Sequence, residues 1–367
     1  DGGAGPELYM AGTQVAGDQV TNGLARRVVD GWAPVVDGFG RRPAWNDGDS
    51  VSRLAAFDDG GGPGLYTAGA TLDGGGGAGE VLRFDGADWA ELPEITGDFT
   101  GLAAFDDGSG AALYAAGSLA LPGTAGEVRL ARFDGVVWTA MLTETELDGD
   151  VFTLEALADG FLYLGGDFTE VDGVAATAVA RFDGLAWTGF RQLDTGFPPA
   201  SVAAVELYDD GAGPALYITG SFGSSDGVGL NNLASWDPLA ERWRQVGQGL
   251  PGFGRQLQSI TAGGERSLYV LGNFTAVSGV SARTIARWNG SSWSAIPGGF
   301  DGPNGGFLTA ISANPVAVDG PTLLMSGDID TAGGLVSVGV AEFRFRPEIF
   351  ADGFESGDAS AWTVVQP

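Results

Sequence analysis

Residues 162–190 read LYLGGDFTEVDGVAATAVARFDGLAWTGF, and the fold can be predicted from the strand patterns in this stretch. It begins with an apolar Leu-Tyr strand that ends in two glycines. A second apolar strand ends in Arg-Phe-Asp-Gly, and a third opens on Trp187. Short apolar runs bounded by acidic and glycine residues are typical of β-strands joined by tight turns. An alternating run, EALADGF at residues 155–161, precedes them, so one unit contains four strands.

This unit recurs along the chain. The Leu-Tyr dipeptide begins at Leu8, Leu65, Leu113, Leu162, Leu216 and Leu268, and Leu323-Leu324 replaces it in a seventh copy, at intervals of 48 to 57 residues. A period of about 50 residues with strand-like content is typical of a β-propeller blade. The sequence therefore predicts an all-β fold, a seven-bladed β-propeller of four-stranded antiparallel blades at residues 1–346, followed by a tail at residues 347–367. We number the copies as repeats 1 to 7.

The third and fourth strands of each repeat carry its most regular residues. Arg-Phe-Asp-Gly ends the third strand at residues 83–86, 132–135 and 181–184. Its Asp-Gly pair predicts a type I′ turn. We expect the repeated Arg to pair with a turn carboxylate, although an anionic ligand is the alternative. The Trp that opens each fourth strand is predicted to be buried between blades, although a sugar-stacking platform is the alternative.

These repeats resemble those of kelch and galactose oxidase type propellers, in the order apolar strand, Tyr strand ending in Gly, aromatic-Asp strand and Trp strand. The resemblance covers about 340 residues, and it implies the fold but not a function, because propellers include enzymes, receptors and scaffolds. The copper site of galactose oxidase needs His and Cys ligands, which this chain lacks. The segment DGFESGD at residues 352–358, with a later Trp, resembles C-terminal segments of secreted bacterial proteins.

The composition excludes several classes of function. The formal net charge is −29, and all 18 basic residues are Arg. Nucleic acids and anionic lipid surfaces are therefore unexpected partners. His, Cys and Lys are absent, which removes most side chains used in nucleophilic and transition-metal chemistry, so we expect no enzyme and no required cofactor. No apolar run reaches the roughly 18 residues that span a bilayer. The first residue is Asp, and we expect an extracellular or cell-surface protein.

The two ends of the chain predict a closure or assembly site. Repeat 1 has no first strand before its Leu-Tyr segment, and repeat 7 has no Trp strand directly after its third strand. The tail supplies two candidates. AWTVV at residues 361–365 would complete repeat 7, and EIFADGF at residues 348–354 would complete repeat 1, within the chain or in a neighbouring subunit. The residues predicted to take part are Leu8, Tyr9, Met10, Ile349, Phe350, Trp362 and Val364.

Acidic loops are the candidate metal ligands. ELDGDV at residues 146–151 has the Asp-Gly-Asp spacing used for Ca²⁺, which places a possible calcium site at Glu146, Asp148 and Asp150, with a solvated turn as the alternative. WNDGDS at residues 45–50 has the same spacing. The first Asp of each Asp-Asp-Gly segment is predicted to form a turn and not to act in catalysis.

Together these features predict a secreted, non-enzymatic propeller that is structural or adhesive and assembles with itself, as an oligomer or filament, by strand donation between termini. The alternative is an extracellular carbohydrate-binding or carboxylate-dependent polysaccharide-processing propeller. A monomeric protein-interaction scaffold is the third hypothesis. The expected partners are other copies of the chain or a cell-surface glycan.

Overall fold

The computed structural model describes most of the chain and contains strands without helices in that part. The described residues are 8–16, 19–28, 31–36, 43–44, 53–72, 78–194, 199–262, 264–302, 307–314, 320–336, 339–345 and 362–363. No helix in them is long and apolar enough to cross a membrane. The chain divides into two compact units that the sequence did not predict. Unit 1 consists of Asp1–Gly5, Val35–Val205 and Phe222–Gly227, and unit 2 of Pro6–Pro34, Glu206–Ser221 and Val228–Pro367.

The strands follow the repeats in chain order. Repeats 1 to 3 contain β1 (Tyr9–Ala16), β2 (Gln19–Val28), β3 (Gly31–Pro34), β4 (Pro43–Ala44), β5 (Leu54–Asp58), β6 (Pro63–Leu72), β7 (Gly79–Phe84), β8 (Trp89–Asp106), β9 (Ala111–Ala120), β10 (Val128–Phe133) and β11 (Trp138–Thr143). Repeats 4 and 5 contain β12 (Val151–Ala156), β13 (Leu162–Gly166), β14 (Glu170–Val171), β15 (Val174–Ala175), β16 (Val179–Phe182), β17 (Trp187–Gly189), β18 (Ser201–Asp209), β19 (Pro214–Ser221), β20 (Ser224–Ser225), β21 (Val228–Gly229), β22 (Leu233–Asp237) and β23 (Arg242–Gln245). Repeats 6 and 7 contain β24 (Gly254–Ala262), β25 (Glu265–Gly272), β26 (Ala276–Val277), β27 (Val280–Ser281), β28 (Ile285–Trp288), β29 (Trp293–Ser294), β30 (Phe300–Asp301), β31 (Phe307–Asn314), β32 (Thr322–Asp328), β33 (Thr331–Ala332), β34 (Leu335–Val336), β35 (Val340–Arg344) and β36 (Trp362–Thr363).

Repeats 4 to 7 form the four-stranded antiparallel sheets that the sequence predicts. Their strand orders are β12-β13-β16-β17, β18-β19-β22-β23, β24-β25-β28-β29 and β31-β32-β35-β36. Repeats 2 and 3 differ, because β8 is one continuous strand of 18 residues. Its first part pairs with β7 and its second part with β9, which joins the two repeats into one sheet. The boundary between these repeats therefore lies inside a strand and not in a loop.

Two types of tight turn occur, and the prediction for the third-strand hairpins was wrong. At Asp85-Gly86 only the glycine has a positive φ, of 101°, and the Asp85 carboxylate accepts the N–H groups of Ala87 and Asp88. A glycine at the first central position, with the Asp before it capping the turn, is the type II′ pattern. The type I′ pattern is found instead in small hairpins such as β14-β15, where Asp172 and Gly173 both have a positive φ.

The tryptophans that open the fourth strands are buried, as predicted. Each packs against the aromatic residue across the third-strand hairpin. The pairs are Phe84–Trp89, Phe133–Trp138, Phe182–Trp187, Trp236–Trp243 and Trp288–Trp293, with ring centroids 4.9 to 5.1 Å apart. Trp89 and Trp243 are only 2% exposed, and none of these five fourth-strand tryptophans is more than 8% exposed. Their faces are therefore inaccessible, and the alternative of a sugar-stacking platform built from these residues is wrong.

A recurring network joins the second strand, the third strand and the turn before the second strand. In repeat 3 the buried Tyr114 hydroxyl donates to Asp107 Oδ2 at 2.9 Å, and Arg132 Nε contacts the same oxygen at 2.8 Å and the Tyr114 hydroxyl at 3.2 Å. Repeat 2 repeats this arrangement, and Arg83 Nε lies 3.0 Å from Asp59 Oδ2. The prediction that the repeated Arg pairs with a turn carboxylate is confirmed in these repeats.

Within unit 1, consecutive repeats contact each other through a hairpin glycine. A Cβ atom placed on Gly135 of repeat 3 would lie 2.7 Å from the Asp59 carbonyl oxygen of repeat 2. Gly184 of repeat 4 lies against the Asp107 carbonyl of repeat 3 in the same way. The hairpin tip of one repeat therefore rests on the carboxylate turn of the repeat before it.

In unit 2 the first and last sheets pack together. Leu8, Ala25 and Trp32 of repeat 1 share a buried cluster with Leu324 and Val340 of repeat 7. In the described part of repeat 1, β1 is an edge strand of a three-stranded sheet. The number of blades and the role of the tail stay predictions.

Replacing Gly135 by Ala tests the contact between hairpin and turn. The new Cβ atom would meet the Asp59 carbonyl, and such crowding costs about 1–3 kcal/mol beyond the strain of a positive φ. Gly86→Ala is the matched control, because its φ of 101° is close to the 99° of Gly135 and no described atom lies within 4 Å of its added Cβ. Urea unfolding should show a larger loss of stability for Gly135→Ala, and equal losses would contradict the contact.

Replacing Asp107 by Asn tests the network. Burial raises the pKa of Asp107, but Ser109, Tyr114 and Arg132 outweigh it and lower the pKa from 3.8 to about 2. A carboxyl whose folded pKa is depressed stabilises the fold above its unfolded pKa, and this stabilisation is lost as the pH falls through the folded pKa. We therefore expect thermal unfolding to give a lower melting temperature for Asp107→Asn than for the wild-type chain at pH 7. This difference should shrink as the pH falls from about 4 to about 2.

The control for this series is Asp106→Asn. Asp106 belongs to the same turn and accepts the backbone N–H groups of Gly108 and Gly110. If the melting temperatures of both variants approach the wild-type value in parallel as the pH falls, the network of Asp107 contributes no more to stability than the turn hydrogen bonds of Asp106.

Candidate functional site

Repeat 4 departs from the recurring network in its turn. Asp107 precedes Tyr114 by 7 positions, whereas Asp159 precedes Tyr163 by 4. The shorter turn still places Asp159 Oδ2 2.8 Å from the buried Tyr163 hydroxyl. Burial and this hydrogen bond raise the pKa of Tyr163, so the phenol stays protonated as the donor. The tyrosine therefore keeps its carboxylate partner in repeat 4.

Arg181 differs from the equivalent Arg83 and Arg132, which each pair with a turn carboxylate. It pairs with Tyr163 across β13 and β16, in the register that Arg132 and Tyr114 have in repeat 3. Yet Arg181 forms no ion pair in the described part of the chain, and its buried Nε has no hydrogen-bond partner there. Its guanidinium carbon lies instead 4.4 Å from the ring centroid of Phe161 and 5.7 Å from that of Phe190.

Two phenylalanines specific to repeat 4 explain this change. Phe161 occupies the position of Gly64 in repeat 2, where Arg83 packs so closely that an added Cβ would lie 3.0 Å from its Nε. A phenyl ring at that position fills the space that Arg83 occupies and contacts the guanidinium face. Phe190 occupies the position of the aliphatic Leu92. Neither residue was among those predicted from the sequence, although an alignment of the repeats shows that each replaces a smaller or aliphatic side chain.

We call Phe161, Tyr163, Arg181 and Phe190 the Arg181 cluster. Phe161, Arg181 and Phe190 are half-buried, whereas Tyr163 is buried beneath them. Tyr163 stacks on Phe190 with ring centroids 6.4 Å apart and meets Phe161 edge-on at 6.3 Å. A guanidinium held against ring faces has its N–H donors fixed in one plane, which suits a ligand with paired oxygen acceptors. The phenyl rings supply apolar faces for a flat ligand surface.

The three residues of the predicted calcium site have separate protein partners. Glu146 Oε2 accepts the Thr143 backbone N–H at 2.7 Å, Asp148 Oδ1 accepts the N–H of Thr169 at 2.7 Å, and Asp150 Oδ1 accepts Arg129 Nη1 at 2.8 Å. Among the described residues, no group of three or more acidic side chains is arranged to hold a metal ion. Calcium binding at these residues stays a prediction.

The predicted closure residues lie in different sheets. Leu8 precedes β1 and its carbonyl accepts the Arg27 N–H at 2.8 Å, whereas Tyr9 and Met10 begin β1. Trp362 lies in β36, which pairs with β35 as the fourth strand of the last sheet. Ile349, Phe350 and Val364 lie outside the described residues.

An open groove of 390 Å³ is a second feature of unit 1. Its lining residues are Glu94, Thr96, Ala120, Leu121, Pro122, Gly123, Thr124 and Gly126. Glu94 has a φ of 81°, which is unfavourable for a residue with a side chain. The groove presents one carboxylate and two hydroxyls but no aromatic or basic side chain, so it lacks the flat apolar faces of the Arg181 cluster.

Comparison with known proteins identifies the fold but no family. No family model matches the chain, and no curated protein matches it. The GH74 enzyme of Niastella koreensis is similar in structure, with 14% identity and a TM-score of 0.52 over 97% of this chain and 51% of that chain. The GH74 xyloglucanase of Xanthomonas campestris has 14% identity and a TM-score of 0.49 over 94% of this chain and 55% of that chain.

A third similar structure is the SapL1 lectin in complex with alpha methyl fucoside. It has 16% identity and a TM-score of 0.37 over 86% of this chain and 96% of that chain. This chain spans about half the length of the two GH74 proteins. The likeness to the Niastella structure, together with the four-stranded antiparallel sheets, shows that the chain has a β-propeller fold.

Proposed function

We propose that this chain is an extracellular carbohydrate-binding β-propeller whose glycan site is the Arg181 cluster. The observation that carries the proposal is the position of the Arg181 guanidinium against two half-buried phenyl rings, without a carboxylate partner in the described residues. Sugar rings have apolar faces and hydroxylated edges. Phenyl rings can stack on the apolar faces, and fixed guanidinium N–H groups can donate hydrogen bonds to the oxygen atoms at the edges.

We propose binding and not hydrolysis at this site. Glycoside hydrolysis uses two carboxyl groups on either side of the scissile bond, one as acid and one as base or nucleophile. The Asp residues of repeat 4 nearest in sequence to the cluster have structural partners. Asp159 accepts the Tyr163 hydroxyl, and Asp183 caps the third-strand hairpin through the N–H groups of Leu185 and Ala186. His, Cys and Lys are absent from the chain. Glu155, which pairs with Tyr163 across β12 and β13, is a further carboxyl, and burial raises its pKa to about 7. One such group does not supply the pair of carboxyl groups that hydrolysis uses.

Phe161→Ala and Phe190→Leu test this proposal. The repeats supply these replacements, since Ala112 and Leu92 occupy the corresponding positions, so we expect both variants to fold. Removing a stacked ring from a binding site costs about 1 kcal/mol or more, so glycan affinity should fall by about fivefold or more. Binding would be screened on an array of neutral and acidic polysaccharides and quantified by isothermal titration calorimetry.

The matched control is Phe152→Ala. Phe152 is 36% exposed on β12 of the same repeat and lies outside the cluster. Its removal should leave glycan affinity unchanged. Wild-type affinity in both Phe161→Ala and Phe190→Leu would contradict a glycan site at the Arg181 cluster.

Self-assembly by strand donation is a second candidate, supported by one observation. Residues Trp362–Thr363 of the tail pair with β35 through Glu342 and Phe343, so tail segments of this chain add to a sheet edge by main-chain hydrogen bonds. If the tail strand paired in this way with the sheet of another subunit, it would join copies of the chain. The net charge of −29 opposes such contacts at low ionic strength.

Deleting residues 346–367 tests self-assembly. If the tail joins subunits, light scattering at about 0.15 M salt should show a smaller particle mass for the truncated chain than for the full chain. The point variant Trp362→Ala provides a milder test of the same pairing. An identical particle mass in all three proteins would contradict assembly through the tail.

A further inference from the structure

We infer that the ligand group bound by the Arg181 cluster is a carboxylate, so that the glycan is an acidic one that contains uronic acid residues. This inference rests on the proposed function, because it names the class of glycan that the same site takes. It is drawn from a comparison of the repeats with one another.

The equivalent arginines show what this position binds. Arg83 lies 3.0 Å from Asp59, Arg132 lies 2.8 Å from Asp107, and Arg287 of repeat 6 lies 2.7 Å from Glu265. In each case the acidic residue comes from the turn between the first and second strands of the same repeat, or from the start of the second strand. In repeats 2, 3 and 6 the third-strand guanidinium therefore pairs with a carboxylate of the same chain.

Among the described residues Arg181 lacks such a partner, in a chain that is rich in carboxylates. The chain has 47 Asp and Glu residues for 18 Arg residues, so a suitable partner was available in number. The buried Nε of Arg181 has no hydrogen-bond partner among the described residues, which is costly, and a charge-assisted hydrogen bond to a carboxylate is among the strongest that proteins form. A ligand carboxylate at the guanidinium would give Arg181 the kind of partner that Asp107 gives Arg132.

The flanking rings favour a carboxylate that is attached to a sugar. A carboxylate is planar and meets a guanidinium in its own plane through two parallel hydrogen bonds. In a uronic acid the pyranose ring continues from that carboxylate, and Phe161 and Phe190 provide the apolar faces beside the guanidinium. Sulfate esters are tetrahedral and would offer the same charge without the planar match.

The net charge of the chain gives this interaction a distinctive salt dependence. At −29 the chain repels a polyanionic glycan over long distances, and salt screens this repulsion, since the Debye length falls from about 30 Å at 0.01 M to about 10 Å at 0.1 M. A half-buried ion pair is screened less. Affinity should therefore rise between 0.01 and about 0.1 M salt, whereas simple attraction to a basic patch would fall.

The experiment uses the full chain and four polysaccharide probes: polygalacturonate, its methyl-esterified form, its carboxyl-reduced form and a sulfated galactan. Arg181→Ser is the central variant, because Ser235 occupies this position in repeat 5. Arg242→Ser is the control, since Arg242 is exposed on β23 and the charge change is the same. We expect at least a tenfold loss of polygalacturonate affinity in Arg181→Ser and no loss in Arg242→Ser. Arg181→Lys, which keeps the charge without the planar fork, should also lose affinity.

The outcomes separate this inference from the proposed function. The esterified and reduced forms could bind as tightly as polygalacturonate, with affinity that falls in Phe161→Ala but not in Arg181→Ser. This result would overturn the inference of a carboxylate ligand and would still support a glycan site. Equal affinity for the sulfated galactan would show that charge alone is recognised, which also overturns it. No binding of any probe by the wild-type chain would count against both. Thermal unfolding of Arg181→Ser checks that the loss is not a folding defect.

Discussion

In repeats 2 to 5 the organisation of the repeat depends on one requirement, a turn carboxylate that accepts the tyrosine hydroxyl buried in the second strand. Repeat 6 differs, since the Tyr269 hydroxyl has no hydrogen-bond partner among the described residues. Tyr66, Tyr114, Tyr163 and Tyr217 are at most 2% exposed, and each donates to an Asp of the preceding turn. A buried phenol without an acceptor would cost about 1–3 kcal/mol. The tyrosine thus fixes the turn carboxylate. In repeats 2 and 3 that carboxylate fixes the third-strand arginine, and the carbonyl of the same turn residue receives the hairpin glycine of the next repeat.

The same requirement accounts for the unusual position of Arg181. A turn three residues shorter still satisfies Tyr163, because Asp159 reaches its hydroxyl, but it no longer provides a carboxylate for the third-strand arginine. Phe161 and Phe190 then hold the guanidinium by contact with its faces. A change in one turn therefore leaves the fold intact and leaves one arginine without a carboxylate partner among the described residues. The candidate site follows from a local departure from the repeat, on strands whose positions the repeat has already fixed.

Much of the fold could be predicted from the sequence, because it depends on periodic features. The strand order, the buried tryptophans and the pairing of Arg83 and Arg132 with turn carboxylates all follow from residues that recur in most repeats. The turn type at Asp85-Gly86 could not be predicted, since it depends on whether the Asp takes a positive φ or caps the turn from the position before the glycine. The site could not be predicted by searching for recurring residues, because Phe161 and Phe190 are where one repeat differs from the others.

The other repeats also show that the fold does not require the residues of this site. Repeat 2 has Gly64 in place of Phe161 and Leu92 in place of Phe190, and repeat 5 has Ser235 in place of Arg181. Each of those sheets forms with an aromatic pair whose ring centroids are 4.9 to 5.0 Å apart. Packing alone therefore does not require two phenylalanines and an arginine that lacks a carboxylate partner among the described residues. All three occur together in repeat 4, with the guanidinium near both rings and each side chain half-buried. An account that includes a ligand explains why these side chains coincide, whereas an account based on the stability of the blade does not.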